Sequence, residues 1–127
     1  MAQSKQVMMT KEQFEEFQKL SQMMRQINND LHQTGAEIWY HNNEKKRTLL
    51  VESEVQTFPE STPMYRTVGR MFMRQSTESI KQYLKSKIED CTTEIRKLEK
   101  QKTQKEAQKA EIDRNFKELI DQASSSK

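Results

Sequence analysis

Apolar residues recur every three or four positions along two long stretches of the chain, from Phe14 to Ile38 and from Ile80 to Leu119. This spacing places them on one face of a helix, and its seven-residue repeat is typical of a coiled coil. The predicted core positions are Phe17, Leu20, Met24, Ile27, Leu31, Thr34 and Ile38 in the first helix, and Leu84, Ile88, Cys91, Ile95, Leu98, Ile112, Phe116 and Leu119 in the second.

Capping residues indicate where the helices begin. Thr10 and Gln13 have the spacing of a capping box, so we predict a first helix over residues 10–47 that fades through the polar run 41–47. Residues 48–63 are predicted to be a link that can hold a short helix, stopped by Pro59. Ser76 is a suitable cap for a second helix over residues 76–123.

Between the helices, residues 64–75 have the pattern of a β-hairpin. Gly69-Arg70 separates two short runs rich in apolar residues, and glycine at the first central position is typical of a type II′ turn. This register pairs Val68 with Met71 and places both on one face with Met64 and Met73. Because the connection is a compact hairpin, the helices should run antiparallel.

The predicted fold is therefore mainly α: one domain over residues 1–127, made of an antiparallel two-helix coiled coil with a β-hairpin at the apex. Lys102, Lys105 and Lys109 occupy seam positions of the second helix, so the half of the seam away from the hairpin should be the weaker.

Composition supports long exposed helices. Hydrophobic and charged residues each make up 32% of the chain, with only two glycines and two prolines, so a compact globule is disfavoured. Residues 1–60 hold 7 Lys/Arg and 9 Asp/Glu, whereas residues 61–127 hold 15 Lys/Arg and 10 Asp/Glu. The two halves therefore carry net charges of opposite sign, which favours their lying side by side. Nucleic-acid binding by the basic half is the competing interpretation, but its basic residues are not interleaved with aromatics.

No catalytic, cofactor or metal site emerges from the sequence. His32 and His41 have no nearby cysteine or acidic cluster, and there is no glycine-rich phosphate loop or activated nucleophile. The single cysteine, Cys91, excludes an intramolecular disulfide and fits a reducing compartment. With no signal peptide or membrane span, we expect a soluble, intracellular, non-enzymatic protein.

Two sets of apolar residues are candidates for contacts with other chains. An isolated hairpin is marginal in water, so its exposed edges favour pairing with strands of other subunits, although the hairpin could instead fold onto its own helices. Apolar residues near the free helix ends, the tip residues, are either ordinary seam or an adaptable surface for apolar ligands. The hairpin candidates are Tyr65, Val68, Gly69, Met71, Phe72 and Met73, and the tip residues are Met8, Met9, Phe14, Phe17, Phe116, Leu119 and Ile120.

Residues 63–76, followed by a long heptad helix, closely resemble the β-class subunits of prefoldin, and most closely one eukaryotic type. Gly69, with its neighbours at positions 68 and 70–72, carries this resemblance. Residues 50–55 are also similar to the link segment of that family, although Val51 stands where a helix-capping threonine is more usual.

The resemblance implies a heterohexamer of two α-class and four β-class subunits whose hairpins join in an intersubunit double β-barrel. It implies a cytoplasmic, ATP-independent chaperone that captures unfolded or nascent proteins such as actin and tubulin at the coiled-coil tips. It further implies that these clients are delivered to the group II chaperonin. A coiled-coil scaffold or tether without chaperone activity is the alternative, since it would use the same heptads.

Overall fold

A computed structural model describes residues 8–125 of the chain. Two helices, α1 (Lys11–Thr57) and α2 (Thr77–Ser125), flank two strands, β1 (Met64–Val68) and β2 (Met71–Gln75). The strands form a two-stranded antiparallel sheet. The predicted order of helix, hairpin and helix is confirmed. Across the described residues, neither helix contains an apolar stretch long enough to cross a membrane.

Side-chain caps start both helices where the sequence predicts. The Thr10 backbone N–H donates to Gln13 Oε1 at 3.0 Å, and the Gln13 N–H donates to Thr10 Oγ1 at 3.1 Å, which completes the capping box. At α2, the Ser79 N–H donates to Ser76 Oγ at 3.1 Å. These bonds satisfy backbone donors that have no partner within the helix.

The first helix continues well beyond residue 47, so the predicted end of that helix is wrong. The run 41–47 is polar but contains neither proline nor glycine, and nothing in it breaks the backbone hydrogen bonding. Beyond it, Thr48 is buried with its hydroxyl donating to the Glu44 carbonyl at 2.7 Å, and Val55 is buried against Met64 and Leu84. Packing therefore favours helix through Thr57, and only residues 58–63 connect α1 to the hairpin.

The chain divides into two compact units. The described part of the first comes from residues 8–35 and 100–125, and the second is Ala36–Glu99. Each helix contributes residues to both units. We describe each unit separately.

The first unit is an antiparallel helix pair held by a small apolar core. Buried side chains from both helices form this core, and further half-buried apolar side chains pack against it. Each of these residues is at a predicted heptad position, which confirms the seam in this unit. The buried members are Leu20, Ile27, Ile112 and Leu119, and the half-buried ones are Phe17, Met24 and Phe116.

An ion pair extends the helix contact in the first unit. Lys105 Nζ lies 3.2 Å from Asp30 Oδ2, and both side chains are partly exposed. The lysine stem lies at a seam position while its ammonium meets a carboxylate on the facing helix. The ion pair therefore links the two helices at a seam position where most residues are apolar.

The second unit joins the hairpin to the helices. Val55 of α1, Met64 of β1 and Leu84 of α2 form a buried cluster, and Ile80 packs against it. Glu44 of α1 also pairs with Lys87 of α2, with Oε2 and Nζ 3.4 Å apart. The first residue of β1 is thus held between the two helices, and this contact fixes where the hairpin starts.

Candidate functional site

The hairpin turn is built on Gly69. Its φ is +62°, a backbone conformation that side-chain-bearing L-residues rarely adopt, and no other described residue has a positive φ. A positive φ at the first central position only is the type II′ geometry that the sequence predicts. The turn brings Val68 opposite Met71, and the register continues to Met64 opposite Gln75, as expected.

Both faces of the hairpin carry large exposed side chains. Residues directly opposite each other share a face, so Val68, Met71 and Met73 lie on one side and Tyr65 and Phe72 on the other. Phe72 is 76% exposed and Met71 is 70% exposed. A two-stranded ribbon with apolar side chains on both faces is typical of a segment that another chain covers.

The helices hold β1 more firmly than β2. Met64 at the start of β1 is buried in the core of the second unit, and the Arg66 guanidinium lies 3.7 Å from the ring centroid of Tyr83 on α2. Such a cation–π contact favours one orientation of the strand on the helix. In β2, by contrast, only Gln75 is shielded from solvent, and the other four residues are exposed.

Both outer edges of the hairpin present backbone hydrogen-bonding groups. In a two-residue hairpin the pair that closes the turn is hydrogen-bonded, and bonded pairs then alternate with non-bonded pairs. The N–H and C=O groups of Tyr65 and Thr67 therefore point outward from β1. Those of Phe72 and Arg74 point outward from β2. These groups can pair with strands of other chains.

The predicted tip residues divide between exposed and packed positions. Met8 is 84% exposed, and Phe14 and Ile120 are also exposed. The rings of Phe17 and Phe116 contact edge to face, with centroids 5.5 Å apart, and Leu119 and Met9 are buried and half-buried respectively. Three of these residues thus serve the seam of the first unit, while Met8, Phe14 and Ile120 are free to meet another molecule.

Sequence reasoning missed a further group of exposed apolar side chains, all in the second half of α1 or just after it. Trp39 is 68% exposed, and its neighbours in this group are also open to solvent. Their signal in the sequence is that they are apolar residues outside the heptad core positions. The group comprises Trp39, Tyr40, Leu49, Leu50, Val51 and Phe58.

Clusters of histidine, cysteine, aspartate or glutamate that could hold a metal ion do not occur within residues 8–125. The one cysteine, Cys91, is buried and free. Its burial on the apolar stripe of α2 is that of a small hydrophobic residue.

The chain is similar in sequence to proteins of a known family over most of its length. The prefoldin subunit family matches residues 11–123. Human prefoldin subunit 1 is 35% identical over 79 residues, which are 62% of this chain and 65% of the human protein. Prefoldin subunit 1 of Arabidopsis thaliana is 26% identical over 106 residues, covering 84% of this chain and 83% of the plant protein. The match to the human relative thus spans slightly less than two thirds of its length.

A solved structure shares the fold. The crystal structure of the prefoldin beta subunit from Thermococcus strain KS-1 superposes with a TM-score of 0.79, covering 91% of this chain and 97% of that one. The sequences are 16% identical, so this likeness bears on the fold alone. The predicted fold class and the resemblance seen in residues 63–76 are confirmed.

Proposed function

This chain belongs to the prefoldin subunit family, and from that membership we propose that it is a subunit of an ATP-independent molecular chaperone. The assembly is a cytoplasmic heterohexamer with other α-class and β-class prefoldin subunits, in which the hairpins join in a double β-barrel. Its clients are unfolded or nascent proteins such as actin and tubulin, which it transfers to the group II chaperonin.

The hairpin supports the assembly part of this proposal, and it is the observation on which the proposal chiefly rests. Its two edges present unpaired backbone groups, and its two faces expose residues as large as Phe72 and Met71. Strands from neighbouring subunits satisfy the edges, and closure into a barrel covers one apolar face. The Arg66 contact with Tyr83 keeps the hairpin in place on α2 before any partner arrives.

The exposed tip residues support the client part. Met8, Phe14 and Ile120 are exposed apolar side chains, and the unbranched Met8 in particular can adapt its shape to varied apolar segments. One such surface binds weakly, but several subunits that each hold the same unfolded chain bind it by multivalency. Binding of the unfolded state lowers its free concentration and so opposes aggregation without any nucleotide. We therefore propose passive binding and no catalysis.

The test uses the hexamer assembled by co-expression of this chain with α-class and β-class subunits. In one variant Met8, Phe14 and Ile120 are each replaced by serine. We expect this variant to assemble normally, because these side chains are exposed, and to lose most of its suppression of aggregation of chemically unfolded actin without ATP.

A matched control removes exposed apolar side chains elsewhere, by Trp39→Ser with Leu50→Ser, and should keep full suppression. If the tip variant suppresses aggregation as well as the wild-type hexamer, capture by the tip residues is wrong. If neither the wild-type nor any variant hexamer suppresses aggregation, the chain is a scaffold subunit without chaperone activity.

A further inference from the structure

Three methionines lie on one face of the hairpin, and their exposure rises from its base to its turn. Met64 lies opposite Gln75, and Met73 and Met71 precede Gln75 at two-residue steps along β2, which places all three on the same face. Met64 is 9% exposed, Met73 is 49% exposed and Met71 is 70% exposed. The same chemical group thus passes from the buried cluster of the second unit to open solvent within one hairpin.

A methionine thioether that solvent can reach is open to reversible oxidation. A hydroperoxide transfers its terminal oxygen to the sulfur lone pair, so that an S–O bond forms and the O–O bond breaks. The proton of the transferred oxygen leaves with the other oxygen as water or an alcohol, and the sulfur loses the two electrons that the peroxide gains. Methionine sulfoxide reductases return the thioether, with one enzyme for each epimer of the sulfoxide. Because the peroxide must reach the sulfur, Met71 and Met73 should react before Met64.

Oxidation changes the polarity of a face that continues the packed core. Met64 is buried with Val55 and Leu84, and the same face runs outward through Met73 and Met71. A sulfoxide converts an apolar side chain into a polar one, and burying a polar group without a hydrogen-bond partner is unfavourable. In the free chain the two exposed sulfoxides stay in solvent and carry no such penalty. Oxidation therefore disfavours any state in which this face is covered.

We propose that Met71 and Met73 form a reversible oxidation site that controls assembly of the chain with other prefoldin subunits. As thioethers, they lie on the apolar face that the neighbouring subunits cover, and as sulfoxides they keep the chain free. This inference rests on the proposed assembly through the hairpin and adds a regulation of that surface. The packing of Met64 protects it, so the base of the hairpin stays in place in either state. Assembly in turn shields Met71 and Met73 from the oxidant.

Peptide mapping by mass spectrometry tests the site itself. The full chain alone is treated with hydrogen peroxide for increasing times, and sulfoxide is measured at each methionine. Met71 and Met73 should be oxidised severalfold faster than Met64, with the helical circular dichroism signal unchanged because packed residues are spared. In the assembled hexamer both should react severalfold more slowly than in the free chain. Equal rates for Met64 and Met71 in the free chain, or equal rates for Met71 in the free and assembled chains, would overturn the proposal.

Titration into the hexamer tests the consequence. The peroxide is removed, the treated chain is titrated into the untreated remaining subunits, and native mass spectrometry gives the dissociation constant. It should rise roughly tenfold or more relative to the untreated chain. Treatment of the oxidised chain with both methionine sulfoxide reductases should reverse this rise.

Leucine variants identify which sulfurs are responsible, with each chain compared only with its own untreated form. In Met71→Leu with Met73→Leu, peroxide should leave the dissociation constant unchanged, because leucine has no sulfur to oxidise. The matched control is Met23→Leu, which removes a 44% exposed thioether of α1 outside the hairpin. This control should lose assembly on treatment as the wild-type chain does.

Two results would overturn control of assembly by this site. One is a wild-type dissociation constant that changes less than twofold after full oxidation of Met71 and Met73. The other is an equal loss of assembly in the double leucine variant, since oxidation elsewhere would then be the cause. An untreated wild-type chain that enters no hexamer overturns the proposed function, and the oxidation switch with it.

Discussion

Replacing Gly69 by valine isolates the conformational requirement of the hairpin turn. Its φ is +62°, and a Cβ built at this position meets no atom within 4 Å. The expected effect is therefore backbone strain without a steric clash. Placing an L-residue in this region costs about 1–2 kcal/mol, and a β-branched side chain lies at the upper end.

That energy has a measurable consequence if the closed hairpin is the form that assembles. The dissociation constant for hexamer formation should rise about fivefold to thirtyfold for Gly69→Val. Gly69→Asn should have a smaller effect, since asparagine tolerates positive φ better than other side chains. Native mass spectrometry of the chain titrated into the remaining subunits measures both values.

The control is Arg70→Ala, at the second position of the same turn, where φ is not positive. It should assemble like the wild-type chain. The reasoning is refuted if Gly69→Val assembles within twofold of wild type, or if Arg70→Ala weakens assembly as much as Gly69→Val does.

Three further predictions concern the first unit. Gly35→Ala, where a built Cβ meets nothing within 4 Å, should stabilise the chain by about 0.5–1 kcal/mol, seen as a higher thermal midpoint. Asp30→Asn should lower the free energy of unfolding by less than about 1 kcal/mol, because the ion pair with Lys105 is lost. A double-mutant cycle should show that the coupling energy between the two residues is smaller in high salt. Leu119→Ala, at a 7% exposed position, should lower the free energy of unfolding measured in urea by about 2–4 kcal/mol. Ile120→Ala, at a 39% exposed position, should lower it by less than about 1 kcal/mol. Equal losses for the two variants would contradict the assigned core.

Local rules explain why so much of the hairpin could be predicted. The turn depends on one glycine and its immediate neighbours, so Gly69-Arg70 was enough to predict the register from Val68 opposite Met71 outward. The caps at Thr10 and Ser76 are likewise interactions over three residues. Heptad spacing predicted the buried rows for the same reason, since residues seven apart lie on the same helix face.

Contacts between distant residues explain what could not be predicted. The end of α1 depends on Val55 packing against Met64 and Leu84, which are 9 and 29 positions away in the chain. The Arg66 contact with Tyr83 and the pairing of Asp30 with Lys105 depend on side-chain orientation across two elements. Periodicity within one segment carries no information about these partners.

By itself, the sequence determined the helical periods, the caps and the turn, because each depends on residues within one or two helical turns of each other. Only the tertiary structure decided which apolar side chains are left over once the helices have packed. Leu119 and Ile120 are adjacent and similarly apolar, yet one is buried in the core and the other faces solvent. Burial depends on what lies opposite a side chain in space. This holds for polar atoms too, since the Oε1 atom of Gln75 is buried without a hydrogen-bond partner in the described part of the chain.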